Sequence, residues 1–490
     1  MTPDFDVAVV GGGAAGLTAA GMAAGLGART LMVERDRLGG DCTWDGCVPS
    51  KTLLHAARLA QDARTAGRFG LRLPEPTVDF GAAIGAVHRI RQEIYEDADA
   101  PEIFEAMGVE VARGAARFVN AGTLEIVAEG GARRRVTARR FILCTGGRAA
   151  VPPVDGLGDV PYLTSATLFE QTERPDRLVV LGGGPIGCEM AQAFRRLGSA
   201  VTVLDQAERL LGRDDAESAR ILQDVLAAEG VRFVLGARVT RAEQTAGGGV
   251  RLRLERGASV EGDALLVATG RRPNIEDLGL EAARVAYTRD GIVVDEHCRT
   301  NRPHIFAAGD CTGEYQLTHM SEHMAKTAVT NAVLRVPATL DRAHVSWCTF
   351  TSPEVAQLGK TEAQLREAGA AFEVYRFPYR RVDRALTEGV PTGQIKVLAT
   401  RVRGRILGAS VIGERAGELI GVYAVAMKNG VSLRQIADTI FPYPAYSLGA
   451  RRAADQWYIR WQYPGLVRVL QRAFGYRGTL PPPPSEDRIV

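Results

Sequence analysis

Phe5-Asp-Val-Ala-Val-Val-Gly-Gly-Gly-Ala-Ala-Gly16, an alanine-rich run to about Ala28, and then Thr30-Leu-Met-Val-Glu34 together decide the fold. A β-branched run predicts a strand, the glycines a tight turn, the small residues a helix, and the second apolar run a parallel strand ending in an acid. Gly11 permits the turn. Gly13 lets a pyrophosphate approach backbone N–H groups at the helix start, and Gly16 lets the helix pack closely on the strand. Glu34 is placed to accept hydrogen bonds from a ribose.

The same unit recurs downstream. Leu178-Val-Val-Leu181 leads into Gly182-Gly-Gly184-Pro-Ile-Gly187 and reaches Val201-Thr-Val-Leu-Asp205, and in both copies the acid follows the first glycine by 23 residues. One such fingerprint is a weak signal; two complete copies with matched strand, helix and acid predict two adenine-dinucleotide sites. Two sites in one chain suggest one group held permanently and one that exchanges. Phe141 to Gly147 and Ala264 to Pro273 are each a buried strand ending at glycine, Gly146 in the first and Gly270 in the second. Ile305 to Asp310 ends on a carboxylate at a strand's C-terminal end, where doubly wound sheets bind ligands.

Between the two copies lies Gly39-Gly40-Asp-Cys42-Thr-Trp-Asp-Gly-Cys47-Val-Pro-Ser-Lys51. Cys42 and Cys47 are the close pair among seven cysteines at 42, 47, 144, 188, 298, 311 and 348. An odd number in a large chain does not read as a structural disulfide framework, and no second cysteine or histidine pair lies near enough in sequence to complete a zinc site. Lying just downstream of a glycine-rich nucleotide fingerprint, the pair implies a redox-active disulfide beside a bound cofactor.

Length and composition agree. At 490 residues the chain exceeds one hydrophobic core, and about three domains are expected. Hydrophobic content of 46% and charged content of 24% are those of a soluble globular protein, and no run of about 18 apolar residues suggests a membrane span. A net charge of +3, with basic residues spread along the chain, argues against a nucleic-acid partner. The N-terminus enters a strand without a basic and hydrophobic leader, so a cytoplasmic location is expected. From about Ala343 alternating strands frame helices without a new glycine fingerprint, which predicts an α+β domain with a packing or assembly role. The chain ends in a basic amphipathic piece, Leu466 to Phe474, and a proline run, Pro481 to Pro484, expected to be extended.

Taken together, these motifs resemble the pyridine nucleotide-disulfide oxidoreductases, the family of dihydrolipoamide dehydrogenase, glutathione reductase and mercuric reductase, over residues 5 to about 455. The resemblance implies an α/β fold with two Rossmann-like dinucleotide-binding domains and a C-terminal α+β dimerisation domain. The expected boundaries are 1–150 and 271–340 for FAD, 151–270 for NAD(P), 341–465 for dimerisation and 466–490 for the tail. It implies FAD with Gly11, Gly13 and Gly16 at the pyrophosphate, Glu34 at the ribose, Gly40 and Lys51 alongside, Ala116 and Gly146 lining the adenine half, and Asp310 on the ribitol. Gly182, Gly184, Gly187, Asp205 and Gly270 would hold the nicotinamide cofactor. Asp205 would repel a 2′-phosphate, which favours NADH over NADPH, with Arg209 close enough to complicate the choice.

In this family hydride passes from nicotinamide to flavin and two electrons pass on to the disulfide. Cys47 would be the thiolate against the flavin and Cys42 the exposed thiol that attacks substrate. Lys51 would supply a cation one helical turn past Cys47, with Glu189 as its partner. An obligate homodimer with active sites shared between chains is implied by Phe350 to Ala356 and Leu407 to Ala409.

One stretch departs from the family. Disulfide-substrate members end in a motif resembling His-x-His-Pro-Thr-x-Ser-Glu, whereas this chain has Phe441-Pro-Tyr443-Pro-Ala-Tyr-Ser-Leu448. Tyr443 replaces the acid/base histidine and Leu448 its glutamate. Unperturbed tyrosine titrates near 10, so it is a poor proton shuttle near neutrality. Mercuric reductases resemble the chain here, yet they use a cysteine pair near the C-terminus, and this chain has no cysteine after Cys348. The expected acceptor is therefore a disulfide or a thiol-bound metal; a flavin reductase for quinone, oxygen or a protein, and a non-catalytic redox-sensing flavoprotein, are the competing readings. His319 is read as structural or flavin-adjacent. Trp457, Trp461 and the tail arginines could form a membrane-surface or partner-binding element, although a helix packed on the dimer takes precedence.

Overall fold

A computed structural model describes residues 2–479, so the Pro481 to Pro484 run lies outside the described residues. Strands Thr30–Glu34 and Phe5–Val10 pair in parallel, with Val109–Arg113 beyond the first and Arg133–Leu143 beside the second. Ile305–Ala307 closes this sheet by pairing with Phe141 to Leu143, so the chain returns to its first sheet after leaving it for about 160 residues. The glycine turn works as its sequence demands. Gly11 has φ +106°, and a Cβ there would meet the Cys144 carbonyl oxygen at 2.2 Å; a Cβ on Gly16 would sit 1.8 Å from the Gly11 carbonyl oxygen.

The second copy repeats more than the fingerprint. Arg232–Val234, Ala200–Leu204, Arg177–Leu181 and Ala264–Val267 form a parallel sheet in that order. In each copy an antiparallel three-strand excursion precedes the last of these parallel strands, over 115–137 in the first and 239–262 in the second. The first copy differs by the helices inserted between its second and third strands, including Gly40–Trp44 and Cys47–Thr65, which carry both paired cysteines. The third unit is an antiparallel sheet in the order Ser346–Thr349, Glu354–Gly359, Ile406–Gly413, Gln394–Ala399, Glu373–Pro378. Helices Ala416–Lys428 and Ser447–Trp457 pack on it.

No described helix is long and apolar enough to cross a membrane. Trp457, grouped by sequence with the tail, belongs to the core instead: it is 2% exposed and its indole N–H donates to the Arg401 carbonyl at 2.8 Å. A large ring with one polar atom is stable inside when that atom finds an acceptor.

Candidate active site

A continuous cleft of about 3280 Å³ joins the two glycine turns. Gly11, Gly13, Glu34, Gly40, Ala116, Gly146 and Asp310 line it from the first unit, and Gly182, Gly184, Asp205 and Gly270 from the second. Cys42, Cys47, Lys51 and Glu189 line it as well. Gly16 and Gly187 do not. A Cβ at either would strike the carbonyl oxygen of the first glycine of its own turn, at 1.8 and 1.9 Å, so both serve the packing of helix on strand.

The two turns are built alike. Helix Ala14–Gly25 starts at Gly13 and helix Pro185–Arg196 at Gly184, and neither has a side-chain cap or an acid in its first turn. Their leading N–H groups face no competing side-chain acceptor, which suits a phosphate. Glu34 accepts from Gly12 N at 2.6 Å and from Asp36 N at 2.8 Å, and Asp205 accepts from Gly183 N at 2.6 Å and from Ala207 N at 2.8 Å. Each acid thus ties its strand end to the middle of its glycine turn. Arg209 is engaged by the carbonyls of Leu211, Gly212 and Asp214 at 2.8 to 3.2 Å and does not pair with Asp205. Gly40 comes so close to Gly13 that a Cβ on it would lie 2.6 Å from Gly13 Cα. A flat, side-chain-free wall results.

Cys42 lies in the short helix Gly40–Trp44, and Cys47 is the first residue of Cys47–Thr65. Both are free thiols, and Cys42 donates to Cys47. That bond pulls Cys47 down to about 6, with Thr318 and Lys51 assisting against burial and the Asp41 charge. The same bond, with burial, pushes Cys42 up. A helix start and a nearby cation are the ordinary devices for making a thiolate. Cys47 is exposed and Cys42 half-buried. Cys47, leading its helix, opens onto the cleft, where its Sγ lies 3.3 Å from Thr318 Oγ1.

Lys51 follows one turn later. Its Nζ lies 2.9 and 3.2 Å from the two Glu189 oxygens and 4.7 Å above the Phe350 ring centroid. Glu189, on Pro185–Arg196, is 5% exposed and also accepts from Phe350 N at 2.8 Å. A carboxylate this buried requires such partners. Tyr443 is not brought to this group within the chain; it is 70% exposed, and its hydroxyl donates to Asp383.

Two further residues belong here that the sequence reading did not single out. Thr318 opens helix Thr318–Val329 and touches Cys47. Arg271, 13% exposed, bridges Asp41 Oδ2 at 2.9 Å and Asp310 Oδ2 at 3.2 Å, joining the cysteine segment to the acid at the end of Ile305–Ala307. Its position directly after Gly270, at a strand's end, was the available signal. Cys144, Cys188, Cys298 and Cys311 are buried and their thiols are pushed up by burial, which makes them inert. His319 lines the cleft and is held by the Ser346 carbonyl at 2.7 Å.

Comparison with known proteins agrees with this geometry. Residues 5–325 match the family model described as pyridine nucleotide-disulphide oxidoreductase, and residues 345–454 match that family's dimerisation domain. A mercuric reductase of Streptomyces lividans is 36% identical over 92% of this chain and 96% of its own length. A dihydrolipoyl dehydrogenase of Bacillus subtilis is 33% identical over 88% and 94%. Among solved structures, the HOCl-induced flavoprotein disulfide reductase RclA of Escherichia coli, as its Cu(II) complex, superposes with a TM-score of 0.82 at 29% identity over 93% and 99% of the two chains. LpdA of Mycobacterium tuberculosis does so with a TM-score of 0.85 at 28% identity over 92% and 99%.

Proposed function

The chain belongs to the pyridine nucleotide-disulphide oxidoreductases, an FAD-dependent family that uses a pyridine nucleotide, and from that premise we propose that its dithiol delivers electrons to a thiophilic metal ion in preference to an organic disulfide. The carrying observation is the unequal thiol pair: Cys47 is drawn toward thiolate at a helix start, Cys42 is kept protonated, and no histidine occupies the aligned position 443.

Flavin, when bound, relays electrons from nicotinamide to the disulfide. The protein's own groups do the rest. Gly11, Gly13 and Gly40 would give the flavin pyrophosphate its flat wall, Glu34 sets the first turn, and Ala116, Gly146 and Asp310 would hold the adenine half and the ribitol. Gly182, Gly184, Gly270 and Asp205 border the nicotinamide cofactor, with Gly16 and Gly187 holding the two helices in place. Residues 1–150 with 271–340 are assigned to flavin binding, 151–270 to the nicotinamide cofactor and 341–465 to dimerisation. Lys51 holds positive charge beside Cys47, and Glu189 fixes Lys51. Cys42 and Cys47 then present two sulfurs to a soft cation, whose reduction asks for no proton at the thiols. The names of two relatives, mercuric reductase and a Cu(II) complex of RclA, support this acceptor class.

Asp205 favours NADH, because a 2′-phosphate would meet its carboxylate while Arg209 is spent on backbone carbonyls. The dimerisation domain supports a homodimer, in which Tyr443 of the partner subunit would stand at the mouth of each thiol pair. A cytoplasmic location fits a chain whose seven cysteines do not form a structural disulfide framework.

The test is anaerobic reduction of the purified flavoprotein by NADH and by NADPH, then turnover with mercuric ion, Cu(II), dihydrolipoamide, glutathione disulfide, quinone and oxygen. Turnover of the metal ions that is abolished by Cys42→Ser supports the proposal. Turnover of quinone or oxygen that survives that substitution overturns it.

A further inference from the structure

We propose that helix Tyr463–Phe474 is a membrane-surface element that docks the enzyme on anionic lipid. From Gln456 to Gly478 the sequence holds four arginines, Arg460, Arg468, Arg472 and Arg477, and no acidic residue. At 3.6 residues per turn, Val469, Ala473, Leu466, Leu470, Phe474 and Val467 fall in succession around an arc of about 160°, with Arg468 and Arg472 opposite its centre. In a soluble helix such an arc faces the core. Here Leu466, Val469 and Phe474 are 55%, 61% and 64% exposed, and among the described residues the helix rests chiefly on the segment Tyr458–Gln462 that leads into it.

The base of the helix is fixed. Arg460 donates to the Val374 carbonyl at 3.0 Å and lies over the Tyr375 ring, and Trp457 is buried just before it. The far end is aromatic: Phe474 and Tyr476 pack with ring centroids 5.9 Å apart, both exposed. Gln471 Nε2 donates to the Gly478 carbonyl at 2.7 Å and folds the following residues back over the helix. An anchored amphipathic helix about 18 Å long, with apolar and aromatic residues on one side and only positive charge on the other, matches an interfacial lipid-binding helix.

Charge selects the occupant. A second copy of the same acid-free segment would bring arginines against arginines across a twofold axis, whereas an anionic bilayer complements Arg468, Arg472 and Arg477 and takes up Leu466, Val469 and Phe474. Three arginines near such a surface strengthen binding by roughly 100-fold over a neutral one.

The experiment is co-flotation of the full-length flavin-loaded protein with vesicles of phosphatidylcholine alone and with about 30 mol% phosphatidylglycerol. Binding to the anionic vesicles at least about tenfold above the neutral ones is expected, weakened by salt and lost in both Leu466→Asn/Val469→Asn and Arg468→Gln/Arg472→Gln. Flavin content and NADH-driven flavin reduction, both unchanged, report that the variants are folded. Equal binding to both vesicle types, or none, overturns the proposal. So does a Leu466→Asn/Val469→Asn protein that sediments as a monomer, which would make the arc a subunit contact.

Discussion

Lys51 Nζ sits 2.9 Å from Glu189 Oε2, yet the two partners are unequally placed, the lysine side chain 37% exposed and the glutamate 5%. That asymmetry makes the two halves of the pair behave differently when one is removed. Lys51→Met leaves a buried carboxylate with the Phe350 amide as its remaining donor and is expected to cost about 2–3 kcal/mol; Glu189→Gln leaves an ammonium that water can reach and is expected to cost about 1 kcal/mol. Denaturant unfolding of the two variants checks the order.

The same cation acts on Cys47, and here the pH dependence has a definite sign. The thiol pair loses its first proton at Cys47 near pH 6, so in the two-electron-reduced flavoprotein the long-wavelength thiolate-to-flavin band should be weak below that pH and grow as pH rises through it. Thr318→Val removes a donor to the thiolate and should move the midpoint upward by about one pH unit. Lys51→Met should move it the same way. Anaerobic spectra across pH 5 to 9 (roughly the span over which such thiols titrate) provide the readout.

How much of this site could be read before the structure depends on how far apart its residues lie. The fingerprints and the Cys42/Cys47 stretch are local: glycine, cysteine and lysine at fixed short spacing state their own geometry. Glu189 was legible because a carboxylate within Ile-Gly-Cys-Glu-Met-Ala has to find a partner. Thr318 was not, since it meets Cys47 across 271 residues and a threonine at a helix start has an ordinary explanation of its own. Arg271 stood in plain view after Gly270, but its contact with Asp41 joins the start of strand Arg271–Pro273 to the short helix Gly40–Trp44, a meeting no local spacing announces.

Asp41 sets a second, opposing influence on the thiols. Its charge raises both Cys42 and Cys47, and Arg271 partly neutralises it. Removing that charge stabilises thiolate, hence the reduced pair, so Asp41→Asn should make the dithiol/disulfide potential more positive, by roughly 10–30 mV. Equilibration against glutathione buffers measures it; a more negative potential would contradict the assignment.

Lys396, which also lines the cleft, joins the second unit to the third. It is 2% exposed and lies 2.8 Å from Asp215, 3.2 Å from Glu217 and 2.6 Å from Glu362. Lys396→Met leaves three carboxylates facing one another and should cost about 3–5 kcal/mol. Burial pushes Glu217 up, but Arg376 and Lys396 outweigh it and hold the carboxyl at about 2, below its ordinary 4.5. A carboxyl held low contributes stability that is fully present above pH 4.5 and lost as pH falls toward 2. Acid unfolding of Lys396→Met should show a shallower loss over that window than the parent.

Tyr443 allows the acceptor class itself to be changed. Its hydroxyl donates to Asp383, which raises its pKa above the ordinary tyrosine value, so near neutrality it keeps its proton and cannot collect one from a thiol. An imidazole at the same place titrates near 6.5 and can, provided a carboxylate orients it. Leu448, half-buried five residues on, occupies the position of that carboxylate. Tyr443→His with Leu448→Glu should therefore raise dihydrolipoamide turnover at least about tenfold, toward the factor of about 10² that a positioned acid/base supplies, while turnover of a metal ion, which needs no proton at the thiols, stays level. Tyr443→His alone should gain less, because an unoriented imidazole spends part of its time turned away. A double variant that gains nothing, with its flavin still reduced by NADH, would show that the missing histidine is not what separates this chain from the disulfide-substrate members.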